Sequence, residues 1–208
     1  MKIHDITATI SNALPSYANG LRPIISHPAK ILSGDAYNIS KISFSSHTGT
    51  HVDTPFHFAS DGTDCVTTPL DHFYGPAKVM SIDVSMHITH LDLEGLDINA
   101  GDIILLNTNQ SKFMSCGEFK EDYYALTQEA AKYLVSKKIK TIGIDYLSID
   151  PYGDECFLAH KTLLGSGIAV LEGLVLDDVC DGEYILSALP LKYTNGDGSP
   201  VRAILIEN

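Results

Sequence analysis

His47-Thr-Gly-Thr-His-Val-Asp-Thr-Pro-Phe-His57 decides how the rest of the 208-residue chain is read. Three histidines and one aspartate fall at odd positions: His47, His51, Asp53 and His57. In an extended strand, residues of equal parity point to one face. The four groups therefore share a face if the run is extended. A helix would also bring His47 and His51 together, but composition argues against it. Thr48, Thr50, Val52 and Thr54 are β-branched, Gly49 interrupts, and Pro55 would break a ladder.

Distance adds a condition. On a straight strand His47 and His51 would lie about 13 Å apart, at about 3.3 Å per residue. Metal bonds to His and carboxylate ligands are only about 2.0–2.2 Å long. The chain must bend to let both residues serve one site, and Gly49 is the residue able to bend it. His51 and Asp53 already converge. Two imidazoles and a carboxylate suit zinc, manganese or ferrous iron. His57 lies beyond Pro55 and faces the site without needing to bind metal.

Composition bounds the rest. One domain, 1–208, is the default for this length, with two small ones as the alternative, and 44% hydrophobic residues suffice for a sizeable core. A formal net charge of -12 without a basic stretch excludes nucleic acid and anionic membrane surfaces as partners. Cys65, Cys116, Cys156 and Cys180 are widely spaced and form no Cys-x-x-Cys pair. They read as free thiols of a cytoplasmic protein, not as a zinc ribbon or a disulfide framework. No signal-like or membrane-spanning apolar run is found in the sequence.

Along the chain, 3–10, 39–44, 77–84, 103–107, 139–144, 168–171, 184–189 and 201–206 read as strands. The 103–107 run is continuously apolar, as in a strand buried on both faces. Thr127 caps a helix that carries an Ala130, Ala131, Leu134, Val135 stripe and runs into the strand at 139. Helix leading into strand is the α/β pattern and pairs 139–144 with 103–107. The 17–28 stretch reads as a loop, as do 86–90 and the polar 109–124. Asn195-Gly-Asp-Gly198 reads as a tight turn between the last two strands. Asp145, Ser148 and Asp150 follow a strand end, where turn and capping roles compete with a supporting role at a site.

The opening stretch resembles the signature of the metal-dependent cyclase-like hydrolases, His-x-Gly-Thr-His-x-Asp-x-Pro-x-His, and matches its fixed positions. That family includes bacterial kynurenine formamidases and isatin hydrolases. Supporting likeness continues in Pro69–Pro76, Gly101–Leu106, Gly143–Asp150, His160–Leu164, Leu171–Leu174 and Gly198–Arg202. The resemblance implies an α/β fold with a mixed, barrel-like sheet and few flanking helices, of swivelling β/β/α type. It also implies a homodimer or higher homo-oligomer.

For the site, the resemblance implies two divalent ions per chain, zinc first and manganese as the second choice. Their ligands would be His47, His51, Asp53, His160 and Glu172, with Asp53 and Glu172 touching both ions. His160 and Glu172 have no signature of their own. The same resemblance makes His57 the proton-transferring residue and Tyr17 the candidate for substrate contact, beside its reading as a surface-loop tyrosine. The implied reaction is hydrolysis of an amide by metal-activated water. The implied small-molecule substrate is an aryl formamide such as N-formyl-kynurenine, or a cyclic amide. The chain has no tryptophan, whereas such formamidases often carry one where Tyr17 stands, so a lactone or another cyclic substrate stays open. The competing class is a metal- or small-molecule-binding module without catalysis.

Overall fold

The computed structural model describes residues 1–115 and 117–207; Cys116 and Asn208 lie outside the described residues. Its strands are β1 (Lys2–Asp5), β2 (Ile24–Ala29), β3 (Ile39–Ser43), β4 (His51–Asp53), β5 (Tyr74–Ser81) and β6 (Ile103–Asn107). They continue with β7 (Thr141–Ile144), β8 (Ala169–Glu172), β9 (Gly182–Ser187), β10 (Gly198–Pro200) and β11 (Ile204–Glu207). Three helices accompany them: α1 (His90–Glu94), α2 (Gln128–Lys137) and α3 (Leu158–Leu164).

Nine strands form one mixed sheet in the order β1-β11-β9-β5-β6-β7-β8-β4-β10. It curls into a half-barrel with few helices. Its centre, β5-β6-β7-β8, is parallel, and antiparallel strands extend it on both sides. The apolar run Ile103–Leu106 explains why β6 is central. Ile104 and Leu106 pack with Ile142, Ile144 and the helix residues Ala130, Leu134 and Leu163. Ile103 and Leu105 pack on the opposite face with Val79, Leu171 and Leu205. A strand covered on both faces needs apolar residues at both parities.

Helix α2 begins as expected. The Thr127 hydroxyl accepts a hydrogen bond from the Ala130 amide, and the helix ends at Lys138 in a left-handed conformation. Helix α1 starts inside the expected 86–90 loop. Thr89 and Asp92 form a reciprocal capping box there, which the β-branched flanks had masked.

Two further expectations are corrected. Part of the 17–28 loop is strand β2, which pairs with β3 as a separate two-stranded ribbon. Pro28 is tolerated because the register shifts between Ser26 and Ala29. Alternation in 39–44 did signal a strand, and every residue of β3 is exposed. The 195–198 turn is present, but it does not join the closing strands as a hairpin. Strands β9 and β11 pair with each other, and the segment between them contributes β10 to the far edge beside β4. Gly198 allows that approach: a Cβ there would lie 2.7 Å from the Val52 carbonyl oxygen and 2.8 Å from the His47 ring.

Candidate metal centre

The opening stretch is not one strand. Gly49 has φ of 64° and turns the chain, so that only His51–Asp53 is extended. Pro55–His57 then forms a single 3-10 turn. Equal parity accounts for His51 and Asp53 alone. His47 arrives through the bend at Gly49, and His57 through the turn at Pro55. Strand β8 lies antiparallel to β4 and sets Glu172 opposite His51. Helix α3 supplies His160.

These pieces converge. His51, Asp53, His160 and Glu172 are all at most 5% exposed. The His51 Nε2 atom lies 3.3 Å from an oxygen of each carboxylate, Asp53 and Glu172. His160 Nε2 lies 3.3 Å from Asp53 Oδ2 and 3.0 Å from Glu172 Oε1. His47 Nδ1 is 2.7 Å from Asp53 Oδ1. Among the described residues, two sets of donor atoms close enough to share an ion emerge: His51, Asp53 and Glu172, and His47, Asp53 and His57. Asp53 belongs to both.

Two supporting carboxylates complete the arrangement. Asp150 accepts from the Ala159 amide through Oδ1 at 2.6 Å, and its Oδ2 lies 2.5 Å from His160 Nδ1, so its two oxygens cap α3 and orient its histidine. Asp197, read from sequence only as part of a turn, lies 2.9 Å from His47 Nε2 and 3.7 Å from His57 Nδ1. No local pattern in the sequence could point it at His47, 150 positions away, or at His57. Asp145 has a different task. Its buried carboxylate accepts from the Thr108 and Gln110 amides and from the Thr108 hydroxyl, fixing the turn after β6.

A pocket of about 180 Å³ opens onto this cluster. It is walled by Tyr17, Phe58, Leu147 and Phe157. Tyr17 is therefore at the site, with its ring 5.2 Å from Phe119 of the 109–124 segment. That segment backs the pocket wall.

A kynurenine formamidase of Bacillus cereus is 40% identical over 168 residues, covering 81% of this chain and 79% of that protein. Residues 4–151 match the family model for cyclases. The chain belongs to the cyclase family. Among solved structures, a predicted metal-dependent hydrolase from Bacillus stearothermophilus superposes with a TM-score of 0.86 at 34% identity. The match covers 98% of this chain and 97% of that one. Isatin hydrolase A from Labrenzia aggregata superposes with a TM-score of 0.85 at 26% identity, covering 100% and 94% of the two chains.

The residues of this cyclase-family chain fit a divalent cation on their own chemistry. His51 Nδ1 lies 2.9 Å from the Gly49 carbonyl oxygen, which can only accept, so Nδ1 carries the hydrogen. In the neutral ring, Nε2 then presents a lone pair to two carboxylates, and it has no hydrogen-bond partner. A lone pair facing two buried anions is stable only with a cation between them. Without metal, a proton fills that place. Burial opposes charging His51, but Asp53 and Glu172 outweigh burial and push its pKa up to about 10. His160 is likewise raised, its burial overcome by Glu172 and Asp150.

The metal must therefore displace protons. Below the raised His51 pKa the ring is protonated and competes, so zinc affinity should rise from pH 6 to pH 8, with proton release into weak buffer. Titration calorimetry in buffers of different ionisation enthalpy measures this. Affinity independent of pH, with no proton release, would count against these histidines as ligands.

Proposed function

We propose that the chain cleaves an aryl formamide, releasing formate and an aryl amine. The chain is a metal-dependent amidohydrolase. The observation that carries the substrate reading is the aromatic pocket of Tyr17, Phe58 and Phe157 opening directly onto the His-carboxylate cluster. It is supported by the kynurenine formamidase and isatin hydrolase relatives, whose names both specify bonds beside an aryl ring.

His47, His51, Asp53, His160 and Glu172 are the residues that would hold the metal, with room in the reading for two ions. Zinc suits this nitrogen–oxygen donor set, and manganese is the second choice. Bound there, the metal supplies Lewis acidity toward the carbonyl and toward water. The chain's own residues do the rest. Phe58, Phe157 and Tyr17 hold the aryl ring, so that the carbonyl faces the cluster.

His57 moves the proton. Its ring is half-buried, and burial lowers its pKa against the pull of Asp53, leaving it neutral at pH 7. It accepts a proton from water as the water oxygen bonds to the carbonyl carbon. It then donates that proton to the nitrogen as the carbon–nitrogen bond breaks. Asp197 holds the His47 ring through Nε2 and lies 3.7 Å from His57 Nδ1. A non-catalytic binding module would have no use for a half-buried imidazole without a side-chain hydrogen bond among the described residues at this place.

Turnover of N-formyl-kynurenine, isatin and a simple lactone by the zinc- and manganese-loaded protein tests the substrate class. Formamide turnover well above the other two is expected, and lactone turnover alone would replace the reading. Tyr17 gives a narrower check. Tyr17→Ala should lower kcat/KM by about tenfold, from about 1–1.5 kcal/mol of lost ring contact. Unchanged kinetics would return Tyr17 to the surface.

The whole chain, 1–208, acts as one domain and works as a homodimer. That assembly is supported by the exposed ribbon, where Ile24, Ile39 and Ile42 are 63%, 49% and 53% exposed. A second copy is the proposed cover, and light scattering reads the mass. The unpaired Cys65, Cys156 and Cys180 suit the reducing cytoplasm. No helix among the described residues is long and apolar enough to cross a membrane.

A further inference from the structure

Phe157 breaks two local rules at once. It stands at the N-cap of α3, where Ser, Thr, Asp or Asn in an extended conformation is preferred. It is instead an aromatic residue in the left-handed region, with φ of 51° and ψ of 52°, and its side chain caps nothing. A bulky side chain is a true outlier there, because its Cβ crowds the backbone. Among the described residues, the other non-glycine residues at positive φ are Ala18, Asn109, Lys138 and Asn195, none of them a ring.

The surroundings have taken over the work Phe157 does not do. The Asp150 carboxylate accepts from the Ala159 and His160 amides, and Asp154 accepts from the Leu158 amide. The helix start is thus held by its neighbours, which over-determines the backbone at 157. Such strain persists mainly where it aims a side chain. The ring is aimed at the pocket, where it lines the cavity beside Phe58. Their centroids are 5.5 Å apart, and Phe58 in turn stacks on His160 at 5.2 Å and 28°.

We infer that Phe157 is a specificity-determining residue: its left-handed backbone swings the ring out of the helix start to form, with Phe58, the wall that selects an aryl over an alkyl substrate. The inference rests on the amidohydrolase reading for the reaction, and goes beyond it in naming what rejects aliphatic amides. An edge-to-face or offset partner for an aryl ring is worth more than its area alone, and an alkyl group gains only the area.

The test uses the whole chain, zinc-loaded, as wild type, Phe157→Leu and Phe157→Ala, with Phe157→Asn and Phe157→Ser for stability. Formanilide and N-butylformamide are the substrates. Phe157→Ala should lose about tenfold or more in kcat/KM on formanilide, mostly through KM, and little on N-butylformamide. Phe157→Leu, which restores bulk without a ring, should recover only part of the loss. Equal losses on both substrates would overturn the selection.

Stability gives a second readout that needs no turnover. At an N-cap in the ordinary extended conformation, asparagine and serine are about equally stable. At a left-handed position asparagine is favoured, so Phe157→Asn should melt about 2–4 °C above Phe157→Ser. Equal melting of the two would show that position 157 is not held left-handed, and would overturn the inference. Aniline binding by calorimetry separates it from the hydrolase reading. If wild type turns over no formamide yet binds aniline, and Phe157→Ala loses that binding, the aryl wall stands and the reaction falls. If wild type hydrolyses formamides and Phe157→Ala matches it on both substrates, the reaction stands and the wall falls. Neither turnover nor aniline binding would sink both.

Discussion

Asp53→Asn should strip the protein of metal and abolish turnover, while His160→Ala keeps part of its metal. Asp53 is the residue that belongs to both donor sets, and it is 1% exposed. Its carboxylate also faces His51 and His160, whose rings are held charged when no metal is present. Asparagine keeps the shape and loses the charge, so it leaves His51 with Glu172 alone and His160 with Glu172 and Asp150. Breaking such a buried pair costs about 3–5 kcal/mol, and Asp53→Ala adds a void to that cost. The asparagine variant is therefore the informative one. Metal per chain by elemental analysis, with circular dichroism to confirm folding, gives the answer. A folded Asp53→Asn protein at wild-type metal occupancy would show that Asp53 is not a ligand.

His57→Ala should behave in the opposite way, losing about 10²–10⁴-fold in kcat at near-full metal content. His57 sits in the pocket, makes no side-chain hydrogen bond among the described residues, and lies 3.7 Å from the Asp197 carboxylate. It nevertheless lies within reach of the same donors as His47 and Asp53, so ligation and proton transfer make competing claims on it. Leaving-group dependence decides between them. A good leaving group needs little protonation, so the loss should shrink on an aryl formate ester compared with the corresponding formamide. A metal-depleted His57→Ala makes His57 a ligand. A loaded variant with full activity on a poor leaving group removes the proton-transfer role.

The sequence carried the site further than it carried the local geometry. Gly49 was legible as a bend because its neighbours are β-branched and the ligand spacing demands one. The shared face of His47 and His57 was right in outcome and wrong in cause, since parity holds only from His51 to Asp53. The continuous apolar run at 103–106 announced a central strand because both of its faces are covered. The ribbon of β2 and β3 was half missed: its exposed apolar residues follow no burial pattern within one chain. Asp197 was out of reach, because the antiparallel pairing of β10 with β4 brings it to His47, and long-range pairing leaves no trace in local composition. His160 and Glu172 came from family likeness alone. Their meeting depends on α3 and β8 packing at one end of the sheet.

The most direct test of the account is chelation followed by metal restoration in the wild-type protein. Dialysis against a chelator should leave a folded protein that releases no aryl amine from N-formyl-kynurenine. Adding zinc or manganese back should restore turnover in proportion to the metal bound, saturating at two ions per chain. Full hydrolysis by protein shown to be metal-free would contradict the central claim that buried histidines and carboxylates act here by holding a cation.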